Sequence, residues 1–356
     1  MALTQSQRAI LEKARALGGG GQAVALTDDA CRFLIAVIAR DLDLSRHFPE
    51  FRPDFPSFFS QYPLAPLALP GPDVLPLYER LLVLDPNADT YFGCLAALHK
   101  ARLKYERILE VQPLPTIDQV GPRGLLQFGT MSAGALTGFL LWRKWMFDID
   151  NRAGQETGYL FEPIIAAAIG GTPAPSRKSP VKRTRDAGKG RQVDCIRGNR
   201  AYEFKIRVTI AASGQGRWSE ELEFPVDCRQ SGFVPVLVVL DPTVNPKLTE
   251  LTRAFKENDG EVYIGTKAWE HLESTAGPTL GRFLKTYVHI PIAELLEELP
   301  PPEQMPELIL NMTDTVLTIS IDGEAFSSKR STPQPAEVDE IEDEMPEDAD
   351  EAIGGP

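Results

Sequence analysis

Two carboxylates and one ammonium within a dozen residues define the chemistry this chain can attempt. Residues 191–207 read RQVDCIRGNRAYEFKIR, two strand-like runs on either side of Gly198-Asn199, a pair suited to a two-residue hairpin turn. With that turn, Arg197 lies opposite Arg200, Ile196 opposite Ala201, Cys195 opposite Tyr202, and Asp194 opposite Glu203. Side chains alternate along a strand, so Lys205 shares the face of Glu203, while Val193, Cys195, Tyr202, Phe204 and Ile206 point to the other, apolar face. Facing carboxylates repel unless a cation lies between them. Mg2+ suits that position: it is a hard ion, takes oxygen ligands, keeps several waters and is held by one or two carboxylates plus a substrate phosphate. A lysine beside it can position or deprotonate a water while the metal stabilises charge developing on the phosphate.

Other residues bear on the same chemistry. Upstream, the segment RAGQETGYLFEPIIAAAIGG offers two helical acids, Glu156 and Glu162. Glu162 has Gly158, Tyr159, Ile165 and Ala166 at helical neighbour positions, so it sits among apolar groups and needs a partner. Glu156 has Arg152 one turn earlier, which a surface ion pair explains; Glu162 is therefore preferred, with Glu156 left open. Pro163 should kink the helix or begin a new one just after Glu162. The basic run ahead of the hairpin, with Lys182, Arg183, Arg185, Lys189 and Arg191, and Arg217 after it, are candidate DNA phosphate contacts. A flexible charged loop explains the same run. Trp218 is a candidate DNA contact next to Arg217. The histidines, His47, His99, His271 and His289, have no paired metal-ligand spacing, and no GxxxxGK[ST] sequence occurs.

The pattern Val193-Asp194 followed by Glu203-Phe204-Lys205 resembles the PD-(D/E)XK nuclease superfamily, with valine in place of the usual proline. The resemblance covers roughly residues 150–290. Size, the lack of a motor motif and a large extra helical region are most similar to type II restriction endonucleases of the ApaLI-like kind. It implies Mg2+ held by Asp194, Glu203 and Glu162, with the Phe204 carbonyl as a further oxygen and Lys205 activating or orienting the attacking water. It also implies a homodimer that cuts both strands of a short palindrome in double-stranded DNA, with a companion methyltransferase protecting host DNA. Two other readings fit the residues: a structure-specific repair or recombination nuclease of the same superfamily, and a non-catalytic DNA-binding protein with a structural hairpin.

The elements that must position these groups follow from periodicity. Apolar residues recur at helical spacing over residues 9–17, 30–38, 77–84 and 91–108, so residues 1–120 read as a mainly helical region for recognition or dimerisation. Eight prolines between Pro49 and Pro76 impose an irregular arm within it. From 121 to 326 the order becomes helix, hairpin, helix, strand, helix, strand. This is an α/β (α+β) pattern, a restriction-endonuclease-like core with a central mixed β-sheet flanked by helices. FVPVLVVL at 233–240 is apolar on both faces, as a central strand requires. Residues 247–256 read as a helix, 261–264 as a strand, and 269–274 and 280–287 as further helical pieces. Residues 327–356 should form a disordered acidic tail.

Net charge is −13, which taken whole disfavours a polyanionic partner. Its distribution reverses that inference. Residues 329–356 carry −8, whereas residues 177–207 carry eleven Lys or Arg against three acids, a local +8. The four cysteines are irregularly spaced and suggest neither a disulfide framework nor a zinc site, consistent with a reducing cytoplasm. No segment approaches the roughly 20 apolar residues needed to span a bilayer.

Overall fold

The computed structural model describes residues 3–18, 23–61, 63–64, 67–186, 188–206, 215–301 and 303–331. The helices expected in the first third form as α1 (Gln5–Arg15), α2 (Asp28–Asp41), α3 (Val74–Leu84) and α4 (Ala88–Val111). Their starts are set locally: the Thr4 and Thr27 side chains accept the N–H groups of Gln7 and Ala30, satisfying donors that the first turn leaves open. Helix α5 (Ile117–Gly124) then leads into α6 (Ala133–Ala168), a helix of 36 residues begun by Ser132, whose hydroxyl accepts from Ala135 N–H. Pro163 lies inside α6 without ending it, so the expected break after Glu162 does not occur.

The remaining elements are strands β1 (Thr172–Ala174), β2 (Val193–Arg197) and β3 (Arg200–Lys205), helix α7 (Gln215–Gln230) and strand β4 (Val234–Val239). Helix α8 (Pro246–Glu257), strand β5 (Glu261–Ile264) and helices α9 (Thr266–Leu284) and α10 (Ile290–Glu297) follow. The five strands make one mixed sheet in the order β1-β2-β3-β4-β5, antiparallel up to β3 and parallel from β3 to β5. Parallel neighbours need a crossover, and α7 and α8 supply it. The strand expected at 233–240 is therefore a central one, with both its neighbours parallel to it.

Each face of the sheet is covered. Cys195, Tyr202, Phe204, Val236 and Val238 join an apolar core that includes Phe33, Tyr91 and Phe92 of the helical region and Ile164 and Ile165 of α6. Ala201, Leu237 and Val239 pack on the other side with Phe224 of α7 and Phe255 of α8. The first core is continuous across residue 120, so helices α2 to α4 are part of the wall that supports the sheet. Thr279 and Asp85 reinforce this, joined by a hydrogen bond of 2.8 Å between segments far apart in the chain.

A second sheet was not anticipated. Strands β6 (Leu308–Met312), β7 (Val316–Ile321) and β8 (Glu324–Lys329) form an antiparallel meander. Its signal lay in Asp322-Gly323, both at positive φ (47° and 90°), as a tight hairpin turn between strands demands. Residues 327–329, assigned from sequence to the acidic tail, are instead the end of β8, which docks on α4. The Arg330 guanidinium donates to the Gln112 carbonyl at 2.8 Å, and Ser331 N–H donates to the Glu110 carbonyl. The rest of the expected tail, 332–356, and the glycines at 19–21 lie outside the described residues.

Candidate active site

The hairpin forms with the register that the turn requires. Cys195 pairs with Tyr202, Ile196 with Ala201 and Arg197 with Arg200. Gly198 takes φ of 60°, the left-handed value that glycine adopts without steric cost at the first central position of such a turn. The ladder stops at Cys195–Tyr202, one pair before Asp194 and Glu203. There the Asp194 carboxylate itself accepts the Phe204 N–H at 2.8 Å, tying the two strands through a side chain. The neighbouring pairing of β1 with β2 also shifts register between Thr172 and Ala174. The alternation of β2 breaks at the same place, so Val193, expected on the face of Cys195, packs with Ala201 and Leu237 on the other side. Ile206, expected to point inward, is exposed.

Lys205 closes the group. Its ammonium lies 2.9 Å from Glu203 on the same strand and 3.7 Å from Glu221 of α7. Glu221 was not foreseen from sequence, because it reaches the site through the fold of the crossover between β3 and β4. Burial by itself would lower the Lys205 pKa, but Glu203 and Glu221 outweigh it and hold it above the ordinary lysine value. Lys205 is thus an ammonium at neutral pH.

Of the two helical acids, α6 brings Glu162 to this point. A small cavity at the end of β3 and β4 is lined by Gly158, Glu162, Phe204, Lys205 and Leu240 among others. Burial first, and then the Glu203 charge, raise the Glu162 pKa to about 7, with Lys205 pulling it down. Asp194 is raised well above the usual carboxylate range by burial, then by Glu203 and Glu162. Glu156 points elsewhere and pairs with Lys104 of α4 at 3.0 Å.

The donor set fits a hard divalent cation. Four acids, Asp194, Glu203, Glu162 and Glu221, share one half-buried region, and among the described residues the Lys205 ammonium offsets their repulsion. Among the described residues no three His, Cys, Asp or Glu side chains close around one point at metal-holding distance. The protein therefore offers part of a coordination shell, as expected where waters and a substrate phosphate supply the rest.

Proton linkage gives this cluster a measurable signature. The folded Glu162 pKa lies above that of an unfolded carboxylate, so the folded chain holds an extra proton between about pH 4.5 and 7. That contribution is complete below the unfolded value and is lost as pH rises through the folded one. Asp194 acts with the same sign. The metal-free protein should melt at progressively lower temperature from pH 5 to pH 8, and Glu162→Gln should flatten the decline. Equal slopes for the two proteins in thermal denaturation would remove Glu162 from the cluster.

The candidate DNA contacts are mostly engaged within the protein. Arg183 pairs with Glu220 at 2.9 Å, Arg185 with Glu223 at 2.7 Å and Lys189 with Asp186 at 3.1 Å. The Lys182 ammonium donates to the Ser179 carbonyl at 3.1 Å. Arg191 is buried, its Nε 2.5 Å from Asp227, which places it in the interior and away from any phosphate. Arg185 and Lys189 keep about three quarters of their side chains exposed (76% and 75%). Arg217 lies in the first turn of α7, and its side chain lies outside what is described. The Trp218 indole donates to Glu250 at 3.0 Å beneath the Lys247 ammonium, a structural engagement. No helix among the described residues is long and apolar enough to cross a membrane.

Comparison with known proteins bears on the whole region. Residues 76–289 match the family described as ApaLI-like restriction endonuclease. The chain is 47% identical over 279 residues to the type II restriction enzyme ApaLI of Acetobacter pasteurianus, covering 74% of each protein. No solved structure matches. Asp194, Glu203, Lys205 and Glu162 all fall inside the matched residues.

Proposed function

The chain belongs to the ApaLI-like restriction endonuclease family, and from that premise we propose that the cluster of Asp194, Glu203, Glu162 and Lys205 is its hydrolytic centre, working with Mg2+. Membership makes it a type II restriction endonuclease, a site-specific deoxyribonuclease that uses a divalent metal. The observation that supports the residue assignment is the Asp194 carboxylate. It is held by the Phe204 N–H with its pKa driven up by burial and by two neighbouring acids, a charge arrangement that calls for a cation.

Hydrolysis joins a water oxygen to phosphorus and breaks one ester P–O bond, leaving a phosphate and a hydroxyl. When bound, a divalent cation stabilises the negative charge that builds on the phosphate. Asp194 and Glu203 would hold it from the two strands, and Glu162 would reach it from α6 directly or through a water. Lys205, already an ammonium, donates hydrogen bonds to the water or to a phosphate oxygen and orients them. Its contact with Glu221 fixes its direction without drawing on the strands. Arg185 and Lys189, at the approach to the hairpin, supply phosphate contacts. Replacing both with alanine should weaken binding evenly across DNA sequences and lower the salt slope by about two.

Two such centres related by a twofold axis, in a homodimer, match the two strands of a palindrome. A companion methyltransferase protects the host's own sites, and the enzyme acts in the cytoplasm. Residues 1–120 act as a recognition or dimerisation region buttressing the catalytic core. Incubation of plasmid DNA with the protein and magnesium, followed by sequencing of the ends, tests the reading. Discrete fragments with one common end sequence are expected, and DNA methylated at that sequence should resist. Cleavage only at flaps or junctions would favour a repair nuclease, and none at all would end the enzymatic reading.

A further inference from the structure

The α5–α6 arm leaves an unusual amount of apolar surface uncovered. At 1.5 Å per residue α6 is about 54 Å long, and the buried residues by which it joins the core under the sheet, Ile164, Ile165, Ala166 and Ala168, lie at its C-terminal end. The arm's own buried cluster is small, Val120, Leu136 and Leu140 with Leu141 packed against it. Outside that cluster, Leu125, Leu126, Phe128 and Phe147 are 77%, 91%, 73% and 63% exposed. With Met131, Phe139 and Met146 their exposed fractions add up to about four whole residues, on the order of 600 Å² at about 150 Å² each, the low end of the aromatic range. A standard interface takes about 800 Å² from each partner.

The pattern on α6 is specific. Ala135, Phe139, Trp142 and Met146 are spaced by four, three and four residues, which keeps them on one stripe of the helix, as in the seam of a coiled coil. None of the four is buried. Charge argues against nucleic acid as the occupant. Between residues 125 and 147 the only ionisable groups are Arg143 and Lys144. The Arg143 guanidinium already lies over the Phe139 ring and bonds Gln127, and Lys144 pairs with Asp148.

We propose that this stripe of α6 is the self-association surface, packing against the same stripe of a second copy of the chain. The assignment rests on the homodimer reading and adds its location. A two-fold contact uses one patch twice, so an apolar seam on a long helix is self-complementary by construction. It also lies on the helix that carries Glu162, so the interface is joined rigidly to the catalytic end of α6.

Sedimentation equilibrium on the full chain tests this directly. The native protein should run at twice 39.3 kDa. Phe139→Glu/Met146→Glu should raise the dissociation constant at least about 100-fold, with an unchanged circular dichroism spectrum, since both positions are exposed. Mixing that variant with Phe139→Lys/Met146→Lys should restore the dimer through opposite charges across the seam. A native dimer that survives both sets of substitutions would overturn the surface while leaving the homodimer intact. A monomeric native protein that still makes discrete double-strand cuts would overturn both. Loss of DNA affinity with no change in mass would assign the arm to DNA and overturn the proposal.

Discussion

Asp194→Asn and Lys205→Met should each abolish magnesium-dependent cleavage while leaving DNA binding within a few-fold of the native protein. The asparagine oxygen can still accept the Phe204 N–H that Asp194 accepts at 2.8 Å, so the strand tie survives and only the charge is lost. Removing one hydrogen-bond donor aimed at the developing charge costs about 10²–10³ in rate, roughly 3–4 kcal/mol of transition-state stabilisation, and removing a charged metal ligand should cost at least as much. Lys205→Met keeps the length of the stem, but it removes the ammonium that lies close to both Glu203 and Glu221. Single-turnover cleavage of a short duplex measures the loss, and binding without magnesium shows that the fold and the DNA surface persist. A Lys205→Met protein cleaving at the native rate would take that residue out of the chemistry. The same result for Asp194→Asn would displace the whole centre.

A comparably large effect, on stability, is expected at Asp227. Its carboxylate is 1% exposed and receives both the Arg191 Nε at 2.5 Å and the Thr184 N–H at 2.7 Å. These contacts bind the basic loop to α7 just before the chain enters β2. Asp227→Ala would leave a guanidinium buried with its main partner gone, a change that costs about 3–5 kcal/mol. Denaturant unfolding should show a lower midpoint with an unchanged slope. Arg191→Met, which removes the charge together with the need for a partner, should cost less. Equal midpoints for native and Asp227→Ala proteins would mean that Glu223, 3.9 Å from the same guanidinium, takes over entirely.

The two predictions separate what Arg191 and Lys205 do, although in the sequence both are cations beside the same hairpin. Nothing local to residues 177–191 distinguishes a phosphate contact from a buried structural arginine. The difference is made by Asp227, 36 residues away, brought into contact by α7. Likewise the pairing of Arg183 and Arg185 with Glu220 and Glu223 turns a segment of net positive charge into one largely balanced at the surface of α7. Charge counted along a chain overstates the field that a partner meets whenever the opposing acids come from another element.

The amino-acid sequence by itself determined the hairpin, its turn and its register, because these are local: one left-handed glycine and two-residue alternation leave little freedom. It also determined that Glu203 and Lys205 stand together and that Phe233–Leu240 supplies a strand buried on both faces. Tertiary structure alone decided where that regularity fails, at Asp194, where a side chain replaces a ladder bond and Val193 turns to the opposite face. It also separated the two helical acids in space. Glu156 and Glu162 sit on one helix less than two turns apart, and the Lys104 ammonium on α4 draws off the first while the end of β3 receives the second. The hairpin is local, but which helical carboxylate stands beside it is set by distance through space, which no local pattern encodes.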